Sequence, residues 1–204
     1  MKKLFKFLVG AAVATGLLLG STASAYEEGE WLVRVGVGNV DPKSSNGEVV
    51  SVDSGTALVF NGTYFFSPNV GLEILAATPF SHDIKLAEGG SKIGETKHLP
   101  PTFSLNYHFD TAGAFKPYVG AGLNYTLFFD EETTGDLAGL SLSLDGSFGL
   151  AAQLGADIDI SDTMYINAAV RWIDINTDAK LDGTLVEEVE IDPIVFSLAL
   201  GWKF

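Results

Sequence analysis

Cysteine is absent from all 204 residues, which excludes disulfide staples, thiolate catalysis and any cysteine metal site. Cations are scarce, with 12 Lys and Arg against 26 Asp and Glu. Nucleic-acid binding works by neutralising phosphates with Lys and Arg, so this charge balance argues against a nucleic-acid partner. Past residue 25 no run of 18 apolar residues occurs, which excludes transmembrane helices. Yet the mean hydropathy is +0.24, high for so acidic a chain. Apolar strands and acidic loops, kept apart, account for both facts.

The first 25 residues have the make-up of a secretory signal. Lys2, Lys3 and Lys6 precede an apolar run from Phe7 to Gly20, and Ala23-Ser24-Ala25 supplies a small-residue cleavage site. The expectation is a cleaved signal peptide over 1–25 and one domain over 26–204, about 179 residues long. Without the three leader lysines, nine cations face 26 acids, a net charge of −17.

The domain is written in steps of two. From Ile194, the large apolar residues Ile194, Phe196, Leu198, Leu200, Trp202 and Phe204 share one face, while Val195, Ser197, Ala199, Gly201 and Lys203 share the other. Successive strand side chains point to opposite faces, so this alternation predicts a strand. Seven earlier stretches alternate likewise: Trp31–Val40, Thr56–Phe66, Val70–Thr78, Lys97–Phe109, Phe115–Phe129, Leu140–Ile158 and Met164–Ile173. Between them, long polar stretches (41–55, 79–96, 130–139 with room for a short helical turn, and 174–190) alternate with the short turns 67–69, 110–114 and 159–163. Short turns at one end and long loops at the other are the pattern of an outer-membrane barrel, whose first and last strands must pair to remove both edges.

Charge placement discriminates between a membrane barrel and a soluble one. Arg34, Glu73, Asp145 and Arg171 all fall on the face opposite the large apolar residues. A Lys or Arg on the lipid face near mid-bilayer costs about 2–4 kcal/mol. A soluble barrel would instead have to fit every Trp, Phe and Leu into an eight-stranded interior, which is too narrow for them. The expected fold is therefore all-β, an eight-stranded antiparallel transmembrane up-and-down β-barrel with its apolar face outward.

The stretches KHLPPTFSLNYHF (97–109) and PYVGAGLNYTLFF (117–129), together with RWID at 171–174, Asp192-Pro193 and the terminal GWKF, resemble the outer-membrane protein W (OmpW/AlkL) family. The resemblance covers essentially the whole domain. It implies a bacterial outer-membrane location, with loops outside and termini periplasmic. It also implies a narrow, largely apolar passage for small hydrophobic solutes. The terminal aromatics Trp202 and Phe204 look like the signal recognised by the barrel-assembly machinery.

The candidate lumen residues are Val59, Phe65, Leu75, Tyr118, Phe128, Ile173 and Val195, apolar groups on the inward face where an ordinary pore is polar. Packing into a plug is the bland alternative, because side chains can just fill an eight-stranded barrel. Eight inward glycines, including Gly155 and Gly201, argue for free space. Pro100 and Pro101 remove ladder donors inside a strand. With Pro79 and His98 they form a candidate lateral seam through which a greasy solute leaves sideways into lipid, and the plain reading is that they mark where strands emerge. Arg34, Glu73, Asp145 and Arg171 are expected to compensate one another as an interior charge network, with an ion-blocking constriction as the alternative.

His98, Ser104 and His108 share a face, but strand spacing puts His98 and His108 roughly 13 Å or more from one another through Ser104, so no catalytic site, metal site or cofactor is expected. The loop acids Asp130, Glu131, Glu132, Asp136, Asp178, Asp182, Glu187, Glu188, Glu190 and Asp192 read as a solvated face; divalent bridging to lipopolysaccharide phosphates is the sharper alternative. The expected function is passive uptake of small hydrophobic molecules, with lateral release as a further expectation. Outer-membrane lipid and lipopolysaccharide would be the surroundings. The alternative is a non-conducting structural or surface-attachment barrel.

Overall fold

Period-two patterning dominates the molecule. The computed structural model describes residues 24–43, 47–86 and 90–204; the expected signal peptide lies, except for its last two residues, outside them. Fourteen strands run β1 (Trp31–Asp41), β2 (Val50–Val52), β3 (Gly55–Ser67), β4 (Val70–Ala77), β5 (Phe80–Leu86), β6 (Lys92–Leu99), β7 (Thr102–His108), β8 (Phe115–Thr133), β9 (Leu142–Leu144), β10 (Ser147–Asp159), β11 (Met164–Ile173), β12 (Asn176–Leu181), β13 (Thr184–Glu190) and β14 (Ile194–Lys203). The helical turn expected within 130–139 is a 3-10 turn at Gly135–Leu137.

Eight of these strands close a ring. In order, β1, β3, β4, β7, β8, β10, β11 and β14 pair antiparallel with their neighbours, and β14 returns to β1. The closing pair runs from Leu32↔Lys203 to Asp41↔Ile194. Closure satisfies the backbone groups that an open sheet would leave at its edges.

The alternation sorts the side chains as their chemistry requires. Outside, Phe148, Leu150 and Leu154 are 69%, 58% and 61% exposed, and Phe103, Leu105, Phe196 and Leu198 are likewise bare. A water-soluble protein does not carry an apolar surface this continuous, whereas a barrel in hydrocarbon requires one. Inside, Arg34, Glu73, Asp157 and Arg171 are almost wholly buried.

The polar stretches hold more structure than their composition predicts. Residues 79–96, expected as a loop, contain β5 and the start of β6, a hairpin that prolongs β4 and β7 beyond the ring; β2 adds to its edge. Residues 174–190 form the β12–β13 hairpin, which with β9 makes a separate three-stranded sheet. Two expected strands also need correction. The stretch 97–109 is divided at Pro100-Pro101 into β6 and β7, and β9 within 140–158 belongs to the outer sheet rather than the wall. These additions stand at one end of the barrel, the loop end. The short turns and the described chain ends lie at the other, the terminal end.

Candidate functional site

A layer of paired charges crosses the bore. Arg34, on β1, donates through Nη1 to Glu73 Oε2 of β4 at 2.6 Å and through Nη2 to Asp157 Oδ2 of β10 at 3.2 Å. Its Nε donates to the Tyr165 hydroxyl at 3.0 Å. Arg171 Nη2, from β11, reaches Glu73 Oε1 at 2.9 Å and also bonds Gln153 Oε1. Gln153 Nε2 donates to Glu73 Oε1 at 3.1 Å, and Asn106 Nδ2 donates to Glu73 Oε2 at 3.3 Å. Asn167 Nδ2 donates to Asp157 Oδ1 at 2.7 Å. Two guanidinium groups thus face two carboxylates, and the remaining acceptor sites are filled by neutral donors. Unpaired, any of these charges would be costly so far from water.

Arg34, Glu73 and Arg171, expected to compensate one another, are brought together here. Asp145 is not. It sits between β9 and β10, about half exposed, and pairs with Lys180 of the outer sheet. The wall begins only at Ser147, so strand parity does not govern Asp145. The second interior carboxylate is Asp157. Its inward parity on β10 was available in the sequence and is the signal that finds it.

The terminal end of the bore is filled. Tyr26 lies beneath the layer and donates its hydroxyl to Asp157 Oδ2 at 2.8 Å. Its ring lies 4.5 Å from Phe65 and 5.1 Å from His108, with the Lys116 ammonium 4.3 Å from its centroid. Tyr26 precedes the first strand, so no periodicity could have announced it. Inward glycines do not leave the bore open here. A Cβ on Gly155 would come within 2.4 Å of the Tyr118 ring, and one on Gly201 within 2.2 Å of the Tyr165 ring. These glycines make room for the tyrosines directly opposite them on the neighbouring strands, which overturns their reading as free space.

Toward the loop end the interior turns apolar. Val40, Val59, Leu75, Phe80, Ile173, Val189, Ile191 and Val195 form one cluster, with Phe128 against it. The candidate lumen residues are therefore divided by the charged layer: Val59, Leu75, Phe128, Ile173 and Val195 above it, Phe65 and Tyr118 at or below it. Beyond this cluster a cavity of about 50 Å³ lies between the β5–β6 hairpin and the outer sheet. Its wall is apolar, with Ile84, Ile93, Leu142, Leu144, Ala179 and Val189 among the residues that line it.

The wall is interrupted beside this apolar region. β4 pairs with β7 only as far as Leu75↔Thr102, and pairing across the hairpin resumes at Phe80↔His98. Ala76 and Ala77 pair with β3 on their other side but face Pro100 and Pro101, which have no N–H to offer. Pro79 bends the opposite strand at the same level. On the far side β8 holds β6 and β7 in line, and Tyr125 N–H donates to the Pro101 carbonyl at 3.1 Å. Pro79, His98, Pro100 and Pro101 thus meet at one place, a break in a single inter-strand ladder.

The remaining candidates are dispersed. His98 packs against both Phe80 and His82, with centroids 5.3 and 4.8 Å away, and those two rings also touch. His108 packs at the terminal end against Tyr26, Phe65 and Tyr118, so the two histidines share no site with Ser104. Trp202 pairs with Val33 and Met164 in the closing ladders, and Phe204 projects outward at the terminal end, 75% exposed. Loop acids take up the loop lysines: Lys43 bonds Glu190 and Asp192, Lys85 bonds Asp53, and Lys97 bonds Asp130. The Lys43 ammonium holds the Glu190 carboxyl below its ordinary pKa. Among the described residues no group of three or more His, Asp or Glu is assembled for a metal ion.

A family model described as the OmpW family matches residues 27–204. Outer membrane protein W of Vibrio cholerae is 45% identical, over 97% of this chain and 98% of its own length. A Pseudomonas aeruginosa protein named for a dibenzothiophene metabolism operon, PahQ, is 29% identical over 87% of this chain and 90% of its own. The crystal structure of the outer membrane protein OprG from Pseudomonas aeruginosa superposes with a TM-score of 0.80 at 34% identity, covering 89% of this chain and 98% of that one. The matched span holds the whole closed ring and the apolar belt around it, so the chain belongs to the OmpW family of outer-membrane β-barrel proteins.

Proposed function

We propose that this barrel passes small hydrophobic molecules passively from outside the cell into the outer membrane, entering at the loop end and leaving sideways through the Pro100-Pro101 break. The loop end faces the exterior and the terminal end the periplasm, after removal of residues 1–25 as a signal peptide; the barrel-assembly machinery reads Trp202 and Phe204. The observation that carries this reading is a coincidence of level. The ladder is broken beside the apolar cluster, whereas the bore beyond is filled by buried paired charges. An apolar solute would shed favourable burial by crossing that layer into periplasmic water, while the gap leads directly to lipid. A relative named for dibenzothiophene metabolism, an apolar aromatic, adds support.

The filled bore favours one second reading, a non-conducting barrel serving envelope structure or attachment. Vesicles with a lipopolysaccharide outer leaflet separate the two. The first reading expects protein-dependent uptake of a hydrophobic dye, falling severalfold when Pro100→Thr and Pro101→Val restore one donor toward β4 and one toward β8, each worth roughly 0.5–1.5 kcal/mol. Uptake unchanged by the double substitution removes the lateral exit. Absence of any protein-dependent uptake leaves the structural barrel.

A further inference from the structure

Beyond the ring, the loop-end structure finishes in two outermost strands that flank one cavity. β2 is the last strand of the sheet that carries the β5–β6 hairpin, and β13 is the last strand of the outer sheet. Val50 and Val52 of β2 and Val186 and Val189 of β13 line the cavity together. On the other side the two sheets are joined by the chain itself, where β8 runs through the 3-10 turn into β9. Among the described residues no strand pairing joins β2 to β13.

A side chain stands where that ladder would be. Glu187, half-buried on β13, accepts the backbone N–H groups of Glu48, Val49 and Val50, the last two at 3.1 and 3.3 Å. Three successive N–H groups aimed at one carboxylate make a cradle for negative charge, and bonds to an ionised acceptor are stronger than neutral ones. Gly47 leaves room for the carboxylate, since a Cβ there would come within 2.9 Å of Glu187 Oε2. Nearer the wall the seam is pinned again. The Lys43 N–H donates to the Ile191 carbonyl at 3.0 Å, and the Lys43 ammonium pairs with Glu190 and Asp192.

The cavity behind this seam is shut. Its volume of about 50 Å³ has room for a few waters, whereas pockets that enclose small molecules run to roughly 300–1,000 Å³. A solute enters only if the walls part. Ladders hold β5 to β6 and β6 to β8, while the outer end of the β2–β13 seam is fastened by a carboxylate that water can also solvate. Parting the seam uncovers the four valines, which is unfavourable in water and is offset once an apolar solute covers them.

We propose that the β2–β13 seam is the entrance of the passage, a gate that Glu187 clasps shut and that a hydrophobic solute opens by covering the parted valines. This rests on the passage proposed above.

The test locks the gate. The chain has no cysteine of its own, so Glu48→Cys with Glu187→Cys places two thiols across the seam, and a short bis-methanethiosulfonate bridges them reversibly. Hydrophobic-dye uptake by the full barrel, in vesicles with a lipopolysaccharide outer leaflet, should fall on bridging to the level of protein-free vesicles and return with dithiothreitol. Undiminished uptake by the bridged barrel overturns the gate while the passage stands. A wild-type barrel that carries no dye overturns the passage itself. Should the double-cysteine variant fail to fold, as judged by its electrophoretic shift on heating, Glu187→Ala decides. Loss of the clasp should raise the initial uptake rate by up to about tenfold, the equivalent of one hydrogen bond. A rate equal to or below that of the wild type overturns the gate.

Discussion

The two halves of the bore solve opposite problems with the same eight strands. Toward the terminal end, Arg34, Glu73, Asp157, Arg171 and three tyrosines pack until almost nothing is exposed. Toward the loop end the inward residues are Val, Leu, Ile and Phe, and they leave a cavity. Polar groups therefore close this barrel and apolar groups open it, the reverse of an ordinary water-filled pore. Each polar group in the layer demands a partner and draws its neighbours in, while apolar groups make no directional demand and tolerate a void.

Glu73 gives the hardest test of that contrast, because it bonds both arginines. Glu73→Gln leaves two buried guanidinium groups with one carboxylate between them. It should lower the unfolding free energy in lipid vesicles by about 3–5 kcal/mol, the usual cost of breaking a buried pair, read from the urea midpoint of tryptophan fluorescence. A loss below about 1 kcal/mol would mean that water reaches the layer and that the terminal half is not closed.

A smaller effect separates packed wall from lipid-facing wall. Gly201→Val drives a side chain into the Tyr165 ring, whereas Gly62 has nothing within 4 Å of its Cβ position. The first substitution should cost about 1–3 kcal/mol by overpacking. The second should be neutral or stabilising by up to about 1 kcal/mol, since valine suits a strand better than glycine does. Equal effects would erase the distinction between the two faces.

Much of this was legible in the chain because a strand's period is two. Once Phe196 and Trp202 are set outward, Arg34, Glu73 and Arg171 must point in, and the ring of eight follows from the spacing of turns. Legibility fails where the chain leaves the ring. Asp145 lies outside the wall, so parity carried it to the wrong place. Residues 79–96 look like loop by composition, yet Phe80, His82 and Ile84 alternate with Ser81, Asp83 and Lys85. That short alternation marks the hairpin that brings His82 to the cavity. Glycine on an inward face is ambiguous without its partner, because Gly155 and Gly201 mean space only until Tyr118 and Tyr165 are seen to fill it. Two adjacent prolines announce a ladder break, but the strand that loses its partner is known only from the register of β4.

The smallest expected effect is a pH dependence at the loop end. Burial pushes the His82 pKa below its ordinary 6.5, against the Asp53 carbonyl, which holds Nδ1–H, and the Asp53 and Asp83 carboxylates, which favour the charged ring. Lys85 and Lys92 partly offset those carboxylates by pairing with Asp53 and Asp83. The folded ring is therefore neutral where an unfolded one would take up a proton. Its contribution to stability is complete above pH 6.5 and is lost as pH falls toward the lowered value, at no more than about 1.4 kcal/mol per pH unit. Hydrogen exchange of the β5–β6 amides should accordingly show less protection at pH 5 than at pH 7.5 once the intrinsic pH dependence is removed. His82→Phe should reduce the difference in the hairpin and His82→Phe with His98→Phe should abolish it, since the two buried rings pack on one another; a difference that persists in the double variant would assign the proton to another group.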